Sequence, residues 1–324
     1  MKVKKVPLKE AAGHILLHNQ AGPDGRRVLK KGQLLTEQDL PTLQSLGPEQ
    51  VYVAILAADD ISENEAARRL GEIIAGPGLN TTSATTGRVN LMADTSGLCK
   101  IKPEALLAFN DRVGITLATI PNNTVVHPKK IVGTIKIIPY SISEADLEAA
   151  AAVARAESPL VEVTPFILQR AVLITTGSDV ARDKVINGFT PALRHRLASY
   201  NTEMIEGPYV VEDEAEISEA LQWALDRGAE MILIAGETSI MDADDITPRA
   251  IKAVGGDIVH YGVPVEPGNL LLLAYHNNVP IVGAPGCAKS KNYNVVDIVL
   301  PRLAAGERLT RHDFIELGHG GLLK

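Results

Sequence analysis

Residues 231–248 read MILIAGETSIMDADDITP, and the order of residue types along this stretch is typical of a strand, a loop and the start of a helix. MILIAG is an apolar run of strand length, GETS combines glycine with hydroxyl groups, and DADDITP places acidic residues before Thr-Pro. Proline is favoured at the first helical position, and acidic residues are favoured in the first turn. The stretch therefore predicts a buried strand whose carboxyl end leads through a polar loop into a helix.

The same order of residue types occurs on both sides of this stretch. AVLITT at residues 171–176 is followed by Gly-Ser-Asp, and VPIVGAP at residues 279–285 is followed by GCAKS. Helical patterns lie between these apolar runs. Buried strands that alternate with helices imply a parallel sheet covered on both faces. We therefore predict an α/β fold with a doubly wound, mainly parallel sheet in the C-terminal half.

Helices are predicted from the spacing of apolar residues and from capping residues. DEAEISEALQWALDRG, at residues 213–228, places apolar residues on one face and a glycine at its end. TPALRHRLASY, at residues 190–200, predicts a helix with Thr190 as its N-cap and Pro191 at its first position. Further helices are predicted after Thr36 and at residues 63–74, 144–156 and 295–305.

The sequence predicts three segments, of which the first two are smaller α+β or β-rich modules. These segments are a small α+β module at residues 1–75, a β-rich module and connector at residues 76–165, and the α/β domain at residues 166–324. Residues 76–90 are rich in Gly, Ser and Thr, which is typical of a linker or of a loop that faces a ligand. Residues 97–140 are predicted to form mostly short strands.

Composition and charge narrow the function classes. The 324 residues carry a formal net charge of −7, and only 4% of them are aromatic. Nucleic-acid surfaces need positive charge and exposed aromatic faces, so nucleic acid is not an expected partner. The two cysteines, Cys99 and Cys287, argue against a disulfide scaffold and suit a reducing compartment. Because no apolar run approaches the roughly 20 residues that span a bilayer, and no secretory signal is recognisable, we expect a cytoplasmic protein without membrane contact.

Three loops are candidates for chemistry, since ligands of such sheets bind outside the carboxyl ends of the strands. Glycine lets backbone N–H groups approach an anion closely, and hydroxyl groups add further donors. Taken alone, each loop is typical of a structural turn, but together they predict a site for an anionic ligand. The candidate binding residues are Thr176, Gly177, Ser178, Gly236, Thr238, Ser239, Pro285, Gly286, Cys287 and Ser290.

The acidic run in the middle loop offers carboxylates to a metal ion. Mg²⁺ is usually held by one or two carboxylates together with ligand phosphates and water. Asp245 and Asp242 are the candidate metal ligands and catalytic residues. The alternative is that the acidic residues cap the helix that follows, and the two roles can coexist. Glu212 and Asp213 also precede a helix, and we expect them to cap it.

The three loops, in this order on one sheet, resemble those of the molybdopterin-binding superfamily of molybdenum cofactor biosynthesis. The stretches that carry the resemblance are TTG, GETSIMDADDITP and GAPGCAKS. The superfamily includes molybdopterin adenylyltransferases, molybdopterin molybdotransferases and domains of the competence-damage type. The resemblance implies a pterin site at Gly236, Thr238 and Ser239, with Asp245 as the functional carboxylate. It also matches Pro285, Gly286 and Cys287 to a Pro-Gly-x-Pro loop. Glu212 and Asp213 match an acidic pair, which makes Asp213 a further candidate binding residue.

Outside the loops, the chain resembles the non-transferase part of molybdenum-cofactor cytidylyltransferase-like fusion proteins. The matching stretches include KKGQLLTEQDL, GRVNLMAD, TIKIIPY, VEPGNLLLL and GHGGLL, so this resemblance covers nearly the whole chain. No glycine-rich, arginine-bearing nucleotide loop follows, so a stand-alone version is expected. The resemblance implies a homo-oligomer, with a separate nucleotidyltransferase or a molybdoenzyme as a protein partner.

Three positions depart from the patterns of these families. Glu237 stands where the middle loop of the superfamily has its second glycine. Glu266 and Asn269 stand where the molybdotransferases have the lysines of Lys-Pro-Gly-Lys. The two missing cations weigh against insertion of molybdate, and they weigh less against nucleotidyl transfer.

The leading hypothesis is a protein that binds molybdopterin, or its nucleotide form, in cofactor synthesis or maturation. Such a protein would use Mg²⁺ beside the pterin phosphate for nucleotidyl or phosphate chemistry. One alternative is a non-catalytic module that carries or senses the cofactor. The other is an enzyme of the competence-damage type that acts on a different nucleotide.

Overall fold

The computed structural model describes residues 1–323, which fall into two compact units. The first unit contains Met1–Thr95 and Cys99–Thr164, and the second contains residues 96–98 and 165–323. No helix within residues 1–323 is both long enough and apolar enough to cross a bilayer. The division into three segments made from the sequence stays a prediction.

Small antiparallel sheets dominate the first unit. Its strands are β1 (Lys2–Pro7), β2 (Ile15–Leu16), β3 (Gln20–Ala21), β4 (Arg27–Leu29), β5 (Gln50–Ile55), β6 (Asp60–Ser62), β7 (Leu79–Thr81), β8 (Arg88–Ala93), β9 (Gly97–Ile101), β10 (Ile115–Thr119), β11 (Thr124–Val126), β12 (Ile131–Ile137), β13 (Ser141–Ser143) and β14 (Val161–Pro165). Its helices are α1 (Leu40–Ser45), α2 (Glu63–Ile74), α3 (Pro103–Asn110) and α4 (Glu144–Ala156). The sheets have the orders β1-β5-β2, β10-β12-β8-β7, β11-β9-β14, β13-β6 and β3-β4.

Two helices of this unit have the bounds that the apolar spacing predicts, namely α2 and α4. Leu70 and Ile74 of α2 pack in one core with Leu91, Ile135 and Leu147. The helix that closes the first predicted segment therefore packs in the core of the second.

The short strands predicted in residues 97–140 are present as β9 to β12, but Pro103–Asn110 between them is helical. Pro103 occupies the helix start, and Ala105 and Phe109 are buried four residues apart on one face. Residues 76–90 are also not a plain loop, since Leu79–Thr81 pairs with β8.

The second unit contains one six-stranded sheet with helices. Its strands are β15 (Arg170–Thr176), β16 (Glu203–Val210), β17 (Met231–Gly236), β18 (Asp257–Tyr261), β19 (Leu272–His276) and β20 (Val279–Gly283). Its helices are α5 (Arg182–Ser199), α6 (Glu214–Asp226), α7 (Ile246–Ala253), α8 (Val295–Ala304) and α9 (Arg311–Ile315).

The strand order is β16-β15-β17-β20-β19-β18, which confirms the doubly wound, mainly parallel sheet. β16, β15, β17 and β20 run parallel, whereas β19 and β18 form an antiparallel edge. Ile217 and Leu221 of α6 and Ile251 of α7 share one core with Val172 and Ile232 of the sheet. α5 contacts β15 and β16, but its buried residues lie outside that core. Both faces of the sheet are therefore covered by helices.

Strand β16 forms one edge of the sheet and is irregular near its middle. Its register against β15 shifts between Leu173 and Thr175. Gly207 and Pro208 occupy β16 at this shift, between Glu206 and Tyr209. Proline has no N–H to donate to a ladder, so it is tolerated at an edge strand and at a bulge.

The predicted start of α5 at Thr190 is wrong. α5 begins at Arg182 and holds Pro191 in its interior, and Thr190 is a buried helical residue. Proline normally ends or kinks a helix because it lacks the N–H that bonds four residues back. Here Val185 and Phe189, on the turns before the proline, are fully buried. Their packing outweighs the local preference of proline for a helix start.

A polar network ties α8 to the start of α9. Arg302 donates from Nε to Glu307 Oε2 at 2.7 Å and from Nη2 to Asp313 Oδ1 at 2.6 Å. Asp313 Oδ2 accepts from the N–H and the hydroxyl of Thr310, both at 2.8 Å, in a capping box. Burial raises the pKa of Asp313, but the bonds from Thr310 and Arg302 outweigh burial and lower it to about 2.

We expect Asp313→Asn to remove an acid-sensitive part of the stability. Because the pKa of Asp313 is lowered by folding, its contribution is complete above the ordinary value of 3.8 and is lost as the pH falls towards 2. At pH 6, the free energy of unfolding of the variant should be about 1 to 2 kcal/mol lower than that of wild type. The difference should shrink below about pH 3. Urea denaturation at pH 6 and at a pH below 3 measures this difference in free energy of unfolding. The exposed Glu219→Gln is the control. An equal difference between Asp313→Asn and wild type at both pH values would count against the network.

Candidate functional site

The carboxyl ends of β15, β17 and β20 lie side by side and bring the three predicted loops together. Thr176 pairs with Gly236 in the ladder, and Ile234 pairs with Gly283. Glu237 N–H donates to Thr176 O at 2.9 Å, and Ala284 N–H donates to Ile234 O at 2.8 Å. The sheet edge therefore places Thr176–Ser178, Gly236–Ser239 and Pro285–Ser290 next to one another.

The first loop turns sharply at Gly177, whose φ is +155°. A Cβ there would lie 2.7 Å from Tyr209 Oη and 2.9 Å from Glu237 Cβ, so only glycine fits. Tyr209 O–H donates to Ser178 O at 2.7 Å, and the Arg182 guanidinium lies 4.5 Å from the centre of the tyrosine ring. These contacts fix the backbone of the loop.

Glu237 crosses from the middle loop to the first loop. Its Oε2 accepts from Ser178 N–H at 2.9 Å and from Ser178 Oγ–H at 2.8 Å. The bond from the Ser178 N–H contributes most to lowering the pKa of Glu237, followed by the bond from the Ser178 hydroxyl and the charges of Lys184 and Lys289. This carboxylate is therefore ionised at neutral pH and uses the donors of the first loop.

Glu212 makes the matching contact with the middle loop. Its Oε1 accepts from Thr238 N–H at 3.1 Å, and its Oε2 accepts from the Thr238 hydroxyl. Asp213 is the N-cap of α6, where its Oδ1 accepts from Ala215 N–H at 2.9 Å. The capping prediction is thus confirmed for Asp213, but Glu212 holds the middle loop instead of a helix end.

The acidic run divides into a cap and a turn. Asp245 is the N-cap of α7, with Oδ1 accepting from Ile246 N–H at 2.7 Å and Oδ2 from Met241 N–H at 3.1 Å. Asp242 Oδ1 accepts from Asp244 N–H at 2.8 Å. The charges of Asp242 and Asp245 both contribute, after burial, to raising the pKa of Tyr261. The two candidate metal ligands, Asp242 and Asp245, therefore influence the same tyrosine through their charges.

The donor set suits Mg²⁺ only in a limited way. Within residues 1–323, no group of three or more His, Cys, Asp or Glu side chains could hold a metal ion. Asp242 and Asp245 are hard oxygen donors, and Mg²⁺ accepts one or two carboxylates when ligand phosphates and water complete its shell. The carboxylates fit a metal that arrives with a phosphate-bearing ligand, and they do not form a metal site of their own.

The third loop is held in place by a buried arginine that was not among the residues predicted for the site. Arg196 on α5 is 4% exposed. It donates from Nε to Asp297 Oδ1 at 2.8 Å and from Nη2 to Ser290 O at 2.8 Å and Asn292 O at 3.2 Å. The signal for it was a charged residue between Leu193 and Leu197 on an apolar helix face. Arg196 thereby fixes the backbone that follows β20.

The polar atoms of the third loop are mostly engaged within the loop. Ser290 Oγ accepts from Asn292 N–H at 3.0 Å, and Cys287 O accepts from the Asn294 side chain at 3.3 Å. Burial raises the pKa of the half-buried Cys287 thiol, and the charge of Glu266 acts in the same direction. Gly286 lies near the middle loop, since a Cβ on it would be 3.6 Å from Ser239 Oγ.

Two lysines near the loops were also not among the residues predicted for the site. Lys289 Nζ lies 4.6 Å from the centre of the Phe189 ring, and its stem packs against Gly188. Lys184 lies on α5 and acts on Glu237 through its charge. The sequence feature that could have predicted this contact is Gly188 inside α5, because a glycine lets the stem of Lys289 approach the helix. These cations supply positive charge near Glu237, which contacts the first loop.

One small cavity lies beside the middle loop. A cavity of about 20 Å³ lies between the middle loop and the starts of α6 and α7. It is lined by Glu212, Ile217, Thr238, Ser239, Ile240, Asp245, Ile246 and Thr247. Such a volume suits one water molecule, whereas small-molecule pockets usually measure about 300 to 1,000 Å³.

Comparison with known proteins gives a match for the domain that carries these loops. Residues 172–305 match the model of a family described as "Probable molybdopterin binding domain". This match confirms the family resemblance for the α/β domain. Residues 5–55 match a model described as "Domain of unknown function (DUF8806)". No curated protein matches the chain.

The solved structures that match the chain include three proteins with low sequence identity. A molybdenum cofactor biosynthesis protein from Pyrococcus furiosus is 15% identical, with a TM-score of 0.28, and the match covers 94% of this chain and 64% of that one. The molybdopterin biosynthesis MoeA protein from Pyrococcus horikoshii is 13% identical, with a TM-score of 0.35 and coverages of 94% and 75%. The molybdopterin biosynthesis enzyme MoaB from Thermus thermophilus is 17% identical, with a TM-score of 0.32 and coverages of 43% and 98%. The chain thus spans less than two thirds of the first of these proteins.

Proposed function

We propose that the chain binds molybdopterin, or its nucleotide form, at the three loops of the α/β domain, in synthesis or maturation of the molybdenum cofactor. The observation that carries the proposal is the convergence of the predicted loops at one sheet edge, within residues that match the probable molybdopterin binding domain. Backbone N–H groups of the Gly177, Gly236 and Gly286 loops, with the N–H of Ser178 among them, would receive the phosphate.

The hydroxyl groups at the site would orient the pterin. Thr176 and Thr238 flank Gly236, and Ser239 faces Gly286. Asp245 and Asp242 would hold Mg²⁺ beside the phosphate, where the ion neutralises charge when it is bound. Lys184 and Lys289 attract the anionic ligand from α5 and from the third loop.

Binding without insertion of molybdate is the form of the proposal that we favour. Glu266 and Asn269 offer no cation to molybdate, and the backbone of Glu266 is bonded to Gly321 and Leu323. A carrier or sensor of the cofactor needs only the loops. Transfer at the phosphate would need Asp245 as well.

The proposal is tested by calorimetry with molybdopterin and with its adenylyl and cytidylyl forms, in the presence and absence of Mg²⁺. We expect wild type to bind at least one form. We expect Asp245→Asn to weaken binding in Mg²⁺ by about tenfold, which is roughly 1.4 kcal/mol. Asparagine caps a helix as well as aspartate does, so the variant should fold. Asp226→Asn, at the far end of α6, removes the same charge as a control.

The outcomes separate the hypotheses. Failure of every pterin form to bind overturns the proposal, and tight binding of a nicotinamide nucleotide would then favour the competence-damage alternative. Binding that is equal in wild type and Asp245→Asn, with or without Mg²⁺, rejects the metal and supports a carrier.

A further inference from the structure

The donors of the first loop are already occupied by an anion that belongs to the chain. One oxygen of Glu237 takes both the N–H and the hydroxyl of Ser178. These are the groups that the proposed site would offer to a phosphate. The pKa of Glu237 is lowered, first by the bond from the Ser178 N–H, so the carboxylate is charged when it occupies them.

The space beside the loop is occupied as well. Gly177 carries no side chain, and the volume that its Cβ would take is closed by Glu237 Cβ at 2.9 Å and Tyr209 Oη at 2.7 Å. A phosphate cannot approach the backbone at Gly177 and Ser178 while the glutamate stays there. Two anions on the same donors would also repel each other.

We propose that Glu237 is a built-in competitor, which occupies the phosphate subsite of the first loop and must leave before a phosphate-bearing ligand can bind. This inference rests on the proposed function, since it assigns the subsite within the same loops. The first loop has a restraint that is independent of the Glu237 carboxylate, because the Tyr209 hydroxyl is bonded to Ser178 O and the Arg182 guanidinium lies over the tyrosine ring.

The surroundings suit either anion. Lys184 and Lys289 attract the carboxylate of Glu237, and they would attract a phosphate in its place. A phosphate carries close to two negative charges and three acceptor oxygens, so it gains more from the cations than a carboxylate does. A doubly charged phosphate should therefore displace Glu237 more readily than a ligand with a single carboxylate would.

The test compares wild type with Glu237→Gln and Glu237→Ala by calorimetry, with inorganic phosphate and with molybdopterin as separate probes. Removing the charge should tighten binding of both probes by about tenfold or more, because the ligand no longer displaces an anion. Glu219→Gln changes the net charge equally on an exposed position of α6 and should bind like wild type. The amide resonance of Ser178 should shift in both Glu237 variants and shift again on addition of phosphate.

The outcomes for the two proposals are distinct. Tighter binding of phosphate in the Glu237 variants, with no binding of molybdopterin to any protein, supports the competitor and rejects the proposed ligand. Equal affinities in wild type and both variants, or no phosphate binding to any of them, overturn the competitor. A gain of the same size in Glu219→Gln also overturns it, since net charge would then explain the effect.

Discussion

Replacement of Arg196 by methionine is expected to lower the free energy of unfolding of the α/β domain by about 3 to 5 kcal/mol. The guanidinium is buried and bonded to Asp297 and to the backbone of the third loop. Methionine fills similar volume, but it removes the cation that pairs with the Asp297 carboxylate and the side-chain donor of several carbonyl groups. The loss should be measured by urea denaturation.

A second readout distinguishes release of the loop from general loss of stability. In the methionine variant, Cys287 should react faster with a thiol reagent in native buffer. Its thiol is half-buried and its carbonyl is bonded to the Asn294 side chain, and both features depend on the loop that Arg196 holds. Arg194→Met is the control, since Arg194 lies two residues away and pairs with Glu206 on the surface. The control should cost no more than about 1 kcal/mol. Equal losses in the two variants would show that the third loop does not depend on the buried arginine.

Gly236→Ala is expected to weaken binding of molybdopterin by at least about 100-fold, on the order of 3 kcal/mol. An added Cβ would lie 2.7 Å from Thr176 Oγ1 and 2.9 Å from Thr238 O. Thr176 is buried and the second contact is with backbone, so the middle loop itself must shift. Calorimetry measures the affinity, and thermal unfolding measures the accompanying loss of stability.

Gly318→Ala is the matched control for this prediction. A Cβ on Gly318 would meet only the side chain of Pro264, at 3.6 Å, and the position has no positive φ. We expect this variant to bind and unfold like wild type. Unchanged affinity in Gly236→Ala would mean that the middle loop does not form the binding site.

The sheet could be predicted from the sequence because each strand is a short apolar run that ends in a polar loop. The carboxyl ends of such strands share an edge, so the convergence of the Thr176, Gly236 and Pro285 loops followed from the order of elements. The capping roles of Asp213 and Asp245 could be foreseen because aspartate is favoured just before the first turn of a helix.

The remainder depended on contacts between distant residues. The local signal of Thr190 and Pro191 favoured a helix start, and the burial of Phe189 overrode it. Neither the pairing of Arg196 with Asp297 nor the reach of Glu237 to Ser178 has a sequence spacing that a helix or strand would impose. Pairs of this kind are set by tertiary packing.

The irregular edge strand β16 limits how the domain can associate with other chains. Edge strands invite a further strand to pair with them, and proline and charged residues at an edge are common obstacles to such pairing. Pro208 interrupts the outward row of donors, and Glu203 and Glu206 add negative charge along it. A continuous intermolecular sheet, and fibrous aggregation by that route, are therefore disfavoured at this edge. Copies of the domain that assemble in an ordered way would therefore not meet through β16.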